Sequence, residues 1–437
     1  MAEFLNKGKG AYLEAKKDKV FVDKTEMLCY LNSVARTKHK YVCVSRPRRF
    51  GKTYAADMIC AYYGRGADSR DLFQSLKISA TDPVTVDDER LEWDHYLGAF
   101  DVVRVTVTDF IDSQTGVQEG VADLVEEVSS ELKEAYPNVR YGRRTKLWSV
   151  MSKIHVQTGR SFVIVIDEWD APMRMETVDE EGQRVYLDFL RDWLKDKDYI
   201  ALAYMTGILP IKKYGNDSAL NMFDEFTMTD PGALAEYVGF TDGEVRQICD
   251  ARGLRFEAMR EWYDGYRLSN VPSEELVMDQ SPGKVFHVYN PLSVTSAAGK
   301  KQLKGYWGES NTFNALAEYV RMDFQDLKRK VALMMEGAHV PADIGGYQND
   351  MSSFASADDV VAMLIHRGYL GWDEEAKEAF IPNREVMGLF GRSTEGPAWE
   401  LEFQKLRESR ELIALTLEGD ERAVAAAHDE VDNKHYH

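Results

Sequence analysis

Ser45-Arg46-Pro47-Arg48-Arg49-Phe50-Gly51-Lys52-Thr53 is flanked by sequence that gives it a meaning. Before it runs the apolar stretch Tyr41-Val42-Cys43-Val44, which reads as a strand. After it, Ala55, Met58, Ile59 and Tyr62 recur at the spacing of one helix face. Strand, loop and helix in that order are the context a phosphate-binding loop requires. Backbone N–H groups of such a loop, with the helix N-terminus, form a nest for an anion. Lys52 then reaches the β- and γ-phosphates, the Thr53 hydroxyl ligates Mg2+, and Gly51 lets the backbone approach the phosphate. The expected nucleotide contacts are Arg48, Arg49, Phe50, Gly51, Lys52, Thr53 and Tyr54. In the pattern GxxxxGK[ST] the first glycine falls at position 46, where this chain carries Arg46. Arg48 and Arg49 either clamp phosphate or pair with nearby carboxylates.

Working outward, Phe162-Val163-Ile164-Val165-Ile166 is a continuous β-branched and aromatic run, as expected of a strand buried on both faces, and it ends in Asp167 and Glu168. Open α/β sheets place ligands at such strand ends. There Asp167 holds Mg2+ and Glu168 polarises the attacking water. Thr206 ends the next strand-like run, Ile200-Ala201-Leu202-Ala203-Tyr204-Met205. It either senses the γ-phosphate or caps Gly207. Strand-like alternation also marks Val102 to Val107, and Asp109, read as ending that strand, either faces the nucleotide or caps a helix. Leu147, Val150, Met151 and Ile154 predict a helix that stops near Gly159, and a further helix is expected from Val185 to Leu194. Strands alternating with helices from Tyr41 to Met205 are the signature of a parallel sheet covered on both faces.

The 437 residues allow about two to four domains. Hydrophobic residues at 44% and charged residues at 29% fit a soluble globular chain. A net charge of −19 excludes a protein coated in positive charge and disfavours bulk nucleic-acid binding. The longest apolar runs are too short to cross a bilayer, and the N-terminus lacks the apolar core of a secretory signal. Four scattered cysteines without a CxxC pair suit reduced thiols in a cytoplasm.

Beyond residue 233 helices are expected to dominate. Asp358 to His366 reads as a helix, Tyr369-Leu370-Gly371-Trp372 with Ala379-Phe380-Ile381 as a hairpin, and Asn383 as the start of another helix. That order is compatible with a winged-helix module. Trp262-Tyr263-Asp264-Gly265-Tyr266 reads as an aromatic anchor between ATPase and lid in preference to a base-stacking platform. Lys328-Arg329-Lys330 reads as a solvated helix face, and His428, His435 and His437 as a solvated tail.

The loop, Ile166-Asp167-Glu168-Trp169-Asp170-Ala171-Pro172 and Thr206-Gly207-Ile208-Leu209-Pro210-Ile211 together resemble the bacterial AAA-ATPase-like proteins. Phe21-Val22-Asp23-Lys24-Thr25, Trp262-Tyr263-Asp264-Gly265-Tyr266, Tyr289-Asn290-Pro291 and Ile381-Pro382-Asn383-Arg384-Glu385 extend the resemblance over most of the chain. In that family Arg46 is expected. The resemblance implies an α/β fold of the ASCE P-loop type with a parallel sheet, then a helical lid and a winged-helix-like module. It places an N-terminal segment at 1–40, the ATPase core at 41–232, the lid at 233–330, the winged-helix-like module at 331–395 and a helical tail at 396–437. ATP and Mg2+ are the implied cofactors, with Lys52, Glu168 and Thr206 catalytic and Thr53 and Asp167 at the metal. Such proteins usually continue into a PD-(D/E)XK nuclease-like domain, and this sequence is expected to stop short of one. Glu14-Ala15-Lys16 and Glu375-Ala376-Lys377 read as surface charge and not as a nuclease set. A nucleic-acid or protein effector is the expected partner of the C-terminal half, and a non-hydrolysing ATP scaffold or a DNA-binding regulator are the competing readings.

Overall fold

A computed structural model describes residues 3–86, 88–143, 146–211, 219–270, 284–309, 312–322, 324, 326–345, 347 and 354–418. The expected tail histidines His428, His435 and His437 lie outside them. The central sheet has five parallel strands. They are β1 (Tyr41–Ser45), β2 (Asp101–Thr106), β3 (Phe162–Asp167), β4 (Ile200–Gly207) and β5 (Asp224–Phe226), in the spatial order β2-β3-β4-β1-β5. β4 therefore lies between the loop strand β1 and the acidic strand β3. Every residue of β1, β3 and β4 is buried. That is why these strands read as continuous apolar runs and not as alternating ones.

Helices α1 (Lys52–Tyr63), α2 (Val117–Ala135), α3 (Leu147–Thr158) and α4 (Glu180–Leu194) belong to this half. α3 ends where expected, because Gly159 takes the left-handed conformation that ends helices, φ 70°. α4 starts five residues before the expected Val185, at Glu180. Asp179 caps it by accepting from the Gly182 N–H at 2.8 Å. Asp109 does not end a strand. β2 stops at Thr106, and Asp109 closes a short 3-10 turn and lines a groove with Glu3, Lys7 and Asp123.

The N-terminal segment is stitched to this sheet. Leu5 bridges Val103, and the Glu131 carboxylate accepts the N–H groups of Glu3, Phe4 and Leu5. In the Phe21–Thr25 motif the Asp23 carboxylate accepts the Thr25 N–H and hydroxyl and the Lys77 N–H at 2.7–2.9 Å. Lys24, 6% exposed, reaches Glu244 and the Glu236 carbonyl, both at 2.6 Å.

The lid expected to be helical also carries strands. An antiparallel three-stranded sheet runs through it, Phe240–Thr241 beside Val285–Tyr289 beside Tyr266–Ser269. These strands are short and their partners distant, so no local periodicity announces them. Helices Asp242–Arg252, Phe256–Tyr263 and Pro291–Lys300 share a separate apolar core around Val245, Phe256 and Val294. Farther on, helix Ala357–His366 and the hairpin Gly371–Asp373 with Glu378–Phe380 form as expected, and Asn383 caps Arg384–Ser393. Val340–Pro341 adds a third strand, beside Glu378–Phe380. Helix Thr312–Val320 packs on Arg384–Ser393, so the division expected at residue 330 runs through one packed group. Glu375-Ala376-Lys377 forms the hairpin turn, and Lys377 pairs with Glu374.

Candidate nucleotide site

The loop between β1 and α1 gains its shape from two left-handed residues, Arg49 (φ 66°) and Gly51 (φ 94°). Gly51 is the N-cap of α1, so the free N–H groups of that helix open toward the loop. Lys52 is 6% exposed and donates to the carbonyls of Arg46 and Pro47, both at 3.0 Å. An ammonium has three N–H donors; the third is left for a phosphate. Burial pulls its pKa down to about 8, against the pull of Asp170, Glu168 and Asp167.

Thr53 donates its hydroxyl to Asp167 at 2.8 Å. This bond joins the loop to the acidic strand end and sets two hard oxygen donors side by side. Burial raises the pKa of Asp167, opposed by Thr53, Arg104 and Lys52. One carboxylate, one hydroxyl and incoming phosphate oxygens are a donor set that suits Mg2+, which keeps much of its water. Glu168 follows with a half-buried carboxylate.

Thr206 sits directly across the β3–β4 ladder from Asp167, but its hydroxyl donates to the Val44 carbonyl at 2.9 Å. It is fully buried in the sheet. A contact with phosphate requires that bond to be given up. The Phe50 side chain is also fully buried and meets Tyr266 edge-on at 5.3 Å, so only its backbone can serve a nucleotide. Arg48 and Arg49 are exposed, and among the described residues neither forms an ion pair. Tyr54 donates to the Val22 carbonyl at 3.1 Å. Beside Gly51 and Tyr54 lies a cavity of about 160 Å³ whose walls include Phe21, Val22, Tyr237 and Pro291.

Three features were invisible as chemistry in the sequence. Arg46, with no exposure, donates to the carbonyls of Phe226 and Thr227 at 2.9 Å, and burial lowers its pKa to about 10. It ties the loop to β5 and does not face phosphate. Asp170, also unexposed, accepts the N–H groups of Ile208 and Leu209 at 3.1 and 3.0 Å. It locks the β3 end to the β4 end, and a Cβ on Gly207 would lie 2.5 Å from its Oδ1. Arg174 donates to Asp170 at 2.9 Å and to Glu168 at 2.6 Å. The only sequence signal for Arg46 and Asp170 was their place inside motifs, and Arg174, two residues beyond the acidic motif, had none.

The C-terminal half touches the loop directly. Asn290 Nδ2 and Trp307 Nε1 both donate to the Arg48 carbonyl at 3.3 Å. Gly368, φ +81°, lies against Pro47, where a Cβ would come within 2.7 Å. Its carbonyl accepts from Tyr266 at 2.6 Å. Within Trp262-Tyr263-Asp264-Gly265-Tyr266 the anchoring is thus to the phosphate loop and to the C-terminal module. Gly265, φ +135°, is pressed onto the Pro382 backbone, and Asn383 donates to the Tyr263 carbonyl at 3.4 Å.

Residues 13–215 match the family model of predicted AAA-ATPases. That stretch holds the loop, the Asp167-Glu168 pair and Thr206. A curated relative, an uncharacterized protein encoded in the vnfD 5′ region of Azotobacter chroococcum, is 24% identical over 302 residues, covering 68% of this chain and 51% of its own length. The chain thus spans about half of that relative. Among solved structures, the Walker-type ATPase of Pyrococcus abyssi aligns over 84% of this chain and 94% of its own with 9% identity and a TM-score of 0.42. Cdc6p of Pyrobaculum aerophilum aligns over 85% and 92% with 12% identity and a TM-score of 0.27. The ORC1 protein of Aeropyrum pernix, solved with DNA, aligns over 89% and 97% with 12% identity and a TM-score of 0.27. Among the described residues no helix is long and apolar enough to cross a membrane.

Proposed function

We propose that this chain binds Mg-ATP and hydrolyses it to ADP and phosphate, and uses the difference between the two states as a conformational switch. The observation that carries the reading is the 2.8 Å bond from Thr53 to Asp167, which assembles loop, helix N-terminus and acidic strand end into one anion-and-cation site. Lys52 and the loop N–H groups hold the β- and γ-phosphates. Thr53 and Asp167 hold Mg2+, whose charge offsets that of the phosphates. The cavity beside Gly51 and Tyr54 takes the base. Glu168 accepts a proton as the water oxygen attacks the γ-phosphorus and the bond to the ADP oxygen breaks.

The switch reading rests on the paired hydrogen bonds from Asn290 and Trp307 to the Arg48 carbonyl. A loop that adjusts to phosphate shifts the acceptor that two lid side chains hold. The three-stranded arrangement of Val340–Pro341, Glu378–Phe380 and Gly371–Asp373 beside Ala357–His366 supports reading that module as winged-helix-like. By the family resemblance the effector it addresses is nuclease-like.

Thermal shift with Mg-ATP tests the binding. Ligand at about 100 times its Kd stabilises by about 2.7 kcal/mol; wild type should show this and Lys52→Ala should not, each measured against its own free protein. Equal stabilisation of both sinks the assignment. Phosphate release tests the chemistry: Glu168→Gln should bind ATP and release no phosphate, because an amide takes no proton from water. Asp167→Ala should instead shift the Mg2+ concentration needed.

A further inference from the structure

The carboxylate assigned to water is held by a cation. Glu168 has a left-handed backbone, φ 54°, uncommon for a residue with a side chain. Its Oε2 accepts from Arg174 Nη2 at 2.6 Å. On its other side Arg174 Nε donates to Asp170 at 2.9 Å, and Asp170 is itself fixed by the N–H groups of Ile208 and Leu209. The Arg174 side chain is 10% exposed and that of Glu168 34%. An anchored guanidinium therefore grips a carboxylate that has room to leave. A carboxylate held to a guanidinium by a charge-assisted hydrogen bond must give up that bond before it can turn to another partner.

Arg174 also faces the other cations of the site. Partial burial depresses the pKa of the surface-exposed Arg48 first, and the charge of Arg174 depresses it further; Arg174 lowers that of Lys52 as well. Lys52, Arg48 and Arg174 are thus close enough to repel one another. Arginine has five N–H donors, so bonds to Asp170 and Glu168 leave it able to meet a further anion. Gathering like charges costs free energy that a polyanion entering between them returns.

Resting on the ATP reading above, we propose that Arg174 is a positioning residue shared between Glu168 and the γ-phosphate. Without a γ-phosphate it grips Glu168. A bound γ-phosphate takes over the Nη2 donor while Asp170 keeps the guanidinium in place, and the freed carboxylate turns to the water. ADP lacks the group that competes, so the base is held again after hydrolysis. The nucleotide itself then decides when Glu168 is active.

The test is equilibrium binding of Mg-ADP and of a non-hydrolysable Mg-ATP analogue with an imido β–γ bridge to the full chain. Glu168→Gln removes the competing charge; it should tighten the analogue several-fold and leave ADP unchanged. Arg174→Gln should weaken the analogue on the order of tenfold and leave ADP unchanged, since only the γ-phosphate is lost as a contact. In the Arg174→Gln background, Glu168→Gln should no longer tighten the analogue, the non-additivity expected of groups in contact. Arg174→Lys should recover part of the analogue affinity. Equal loss of ADP and analogue in Arg174→Gln would make Arg174 a structural support and overturn the proposal. So would the same effect of Glu168→Gln in both backgrounds. A faster turnover of Arg174→Gln with unchanged analogue affinity would reduce Arg174 to a brake, which also overturns it. Where Arg174→Gln does not fold, the Glu168→Gln arm decides alone: unchanged analogue affinity refutes the competition. Wild type that binds neither nucleotide refutes the ATP reading instead, a result the Lys52 experiment reads separately.

Discussion

Arg46 and Lys52 are buried cations six residues apart, and their partners separate their roles. Arg46 gives its N–H groups to carbonyls of β5 and the turn after it, and among the described residues it forms no ion pair. Removing it orphans those acceptors. Arg46→Gly, which restores the generic glycine of the loop pattern, should therefore cost about 2–4 kcal/mol. Urea unfolding would read this, and nucleotide binding should not improve. Lys52 instead keeps a donor for a ligand, at a pKa of about 8. Phosphate prefers the charged form. ATP affinity should thus fall as pH rises from 7 to 9, measured by titration at both values, and the weak residual affinity of Lys52→Arg should not.

At the scale of the element, helix Ala357–His366 carries its own titration. His366 is 6% exposed, stacks near Tyr347 at 6.4 Å, and burial pushes its pKa down to about 4. The folded value lies below the unfolded one, so the unfolded chain binds more protons between about pH 4 and 6.5. This group's contribution is intact above pH 6.5 and is lost as pH falls through that window, in total about 3 kcal/mol. Thermal midpoints at pH 7 and 5 should diverge for wild type more than for His366→Leu. The strands of the central sheet show the opposite limit. β3 and β4 are buried along their whole length, and their apolar runs were legible for that reason. The lid strands Phe240–Thr241, Tyr266–Ser269 and Val285–Tyr289 were not, being short, partly exposed and paired across long stretches of sequence.

For the whole molecule, the central link is a single carbonyl. The Arg48 oxygen accepts from Asn290 in the lid and from Trp307 just before the C-terminal module. Hydrogen exchange across residues 233–270 and 284–309 in free, ADP and analogue-bound states should show protection that tracks the γ-phosphate. Protection confined to the loop and to the β3 end would make the C-terminal half a passive spacer. Asn290→Ser, which keeps an N-cap for helix Pro291–Lys300, combined with Trp307→Phe should abolish the difference between states while leaving nucleotide affinity within about threefold, because the relay is cut.

The sequence by itself determined the alternation of strand and helix, the phosphate loop and the acidic strand end. Each of these is a local pattern: apolar runs report burial on both faces, and strand–loop–helix order reports the nest. It left open what Arg48 and Arg49 do, and it gave Thr206 two roles without deciding between them. Only the tertiary structure set the Thr206 hydroxyl on the Val44 carbonyl, buried Phe50 against Tyr266, turned Arg46 toward β5 and brought Arg174 onto Glu168. Those choices depend on which donor meets which acceptor after the chain has folded back on itself. A partner 180 residues away, as Phe226 is from Arg46, leaves no periodic trace in the residues around either one.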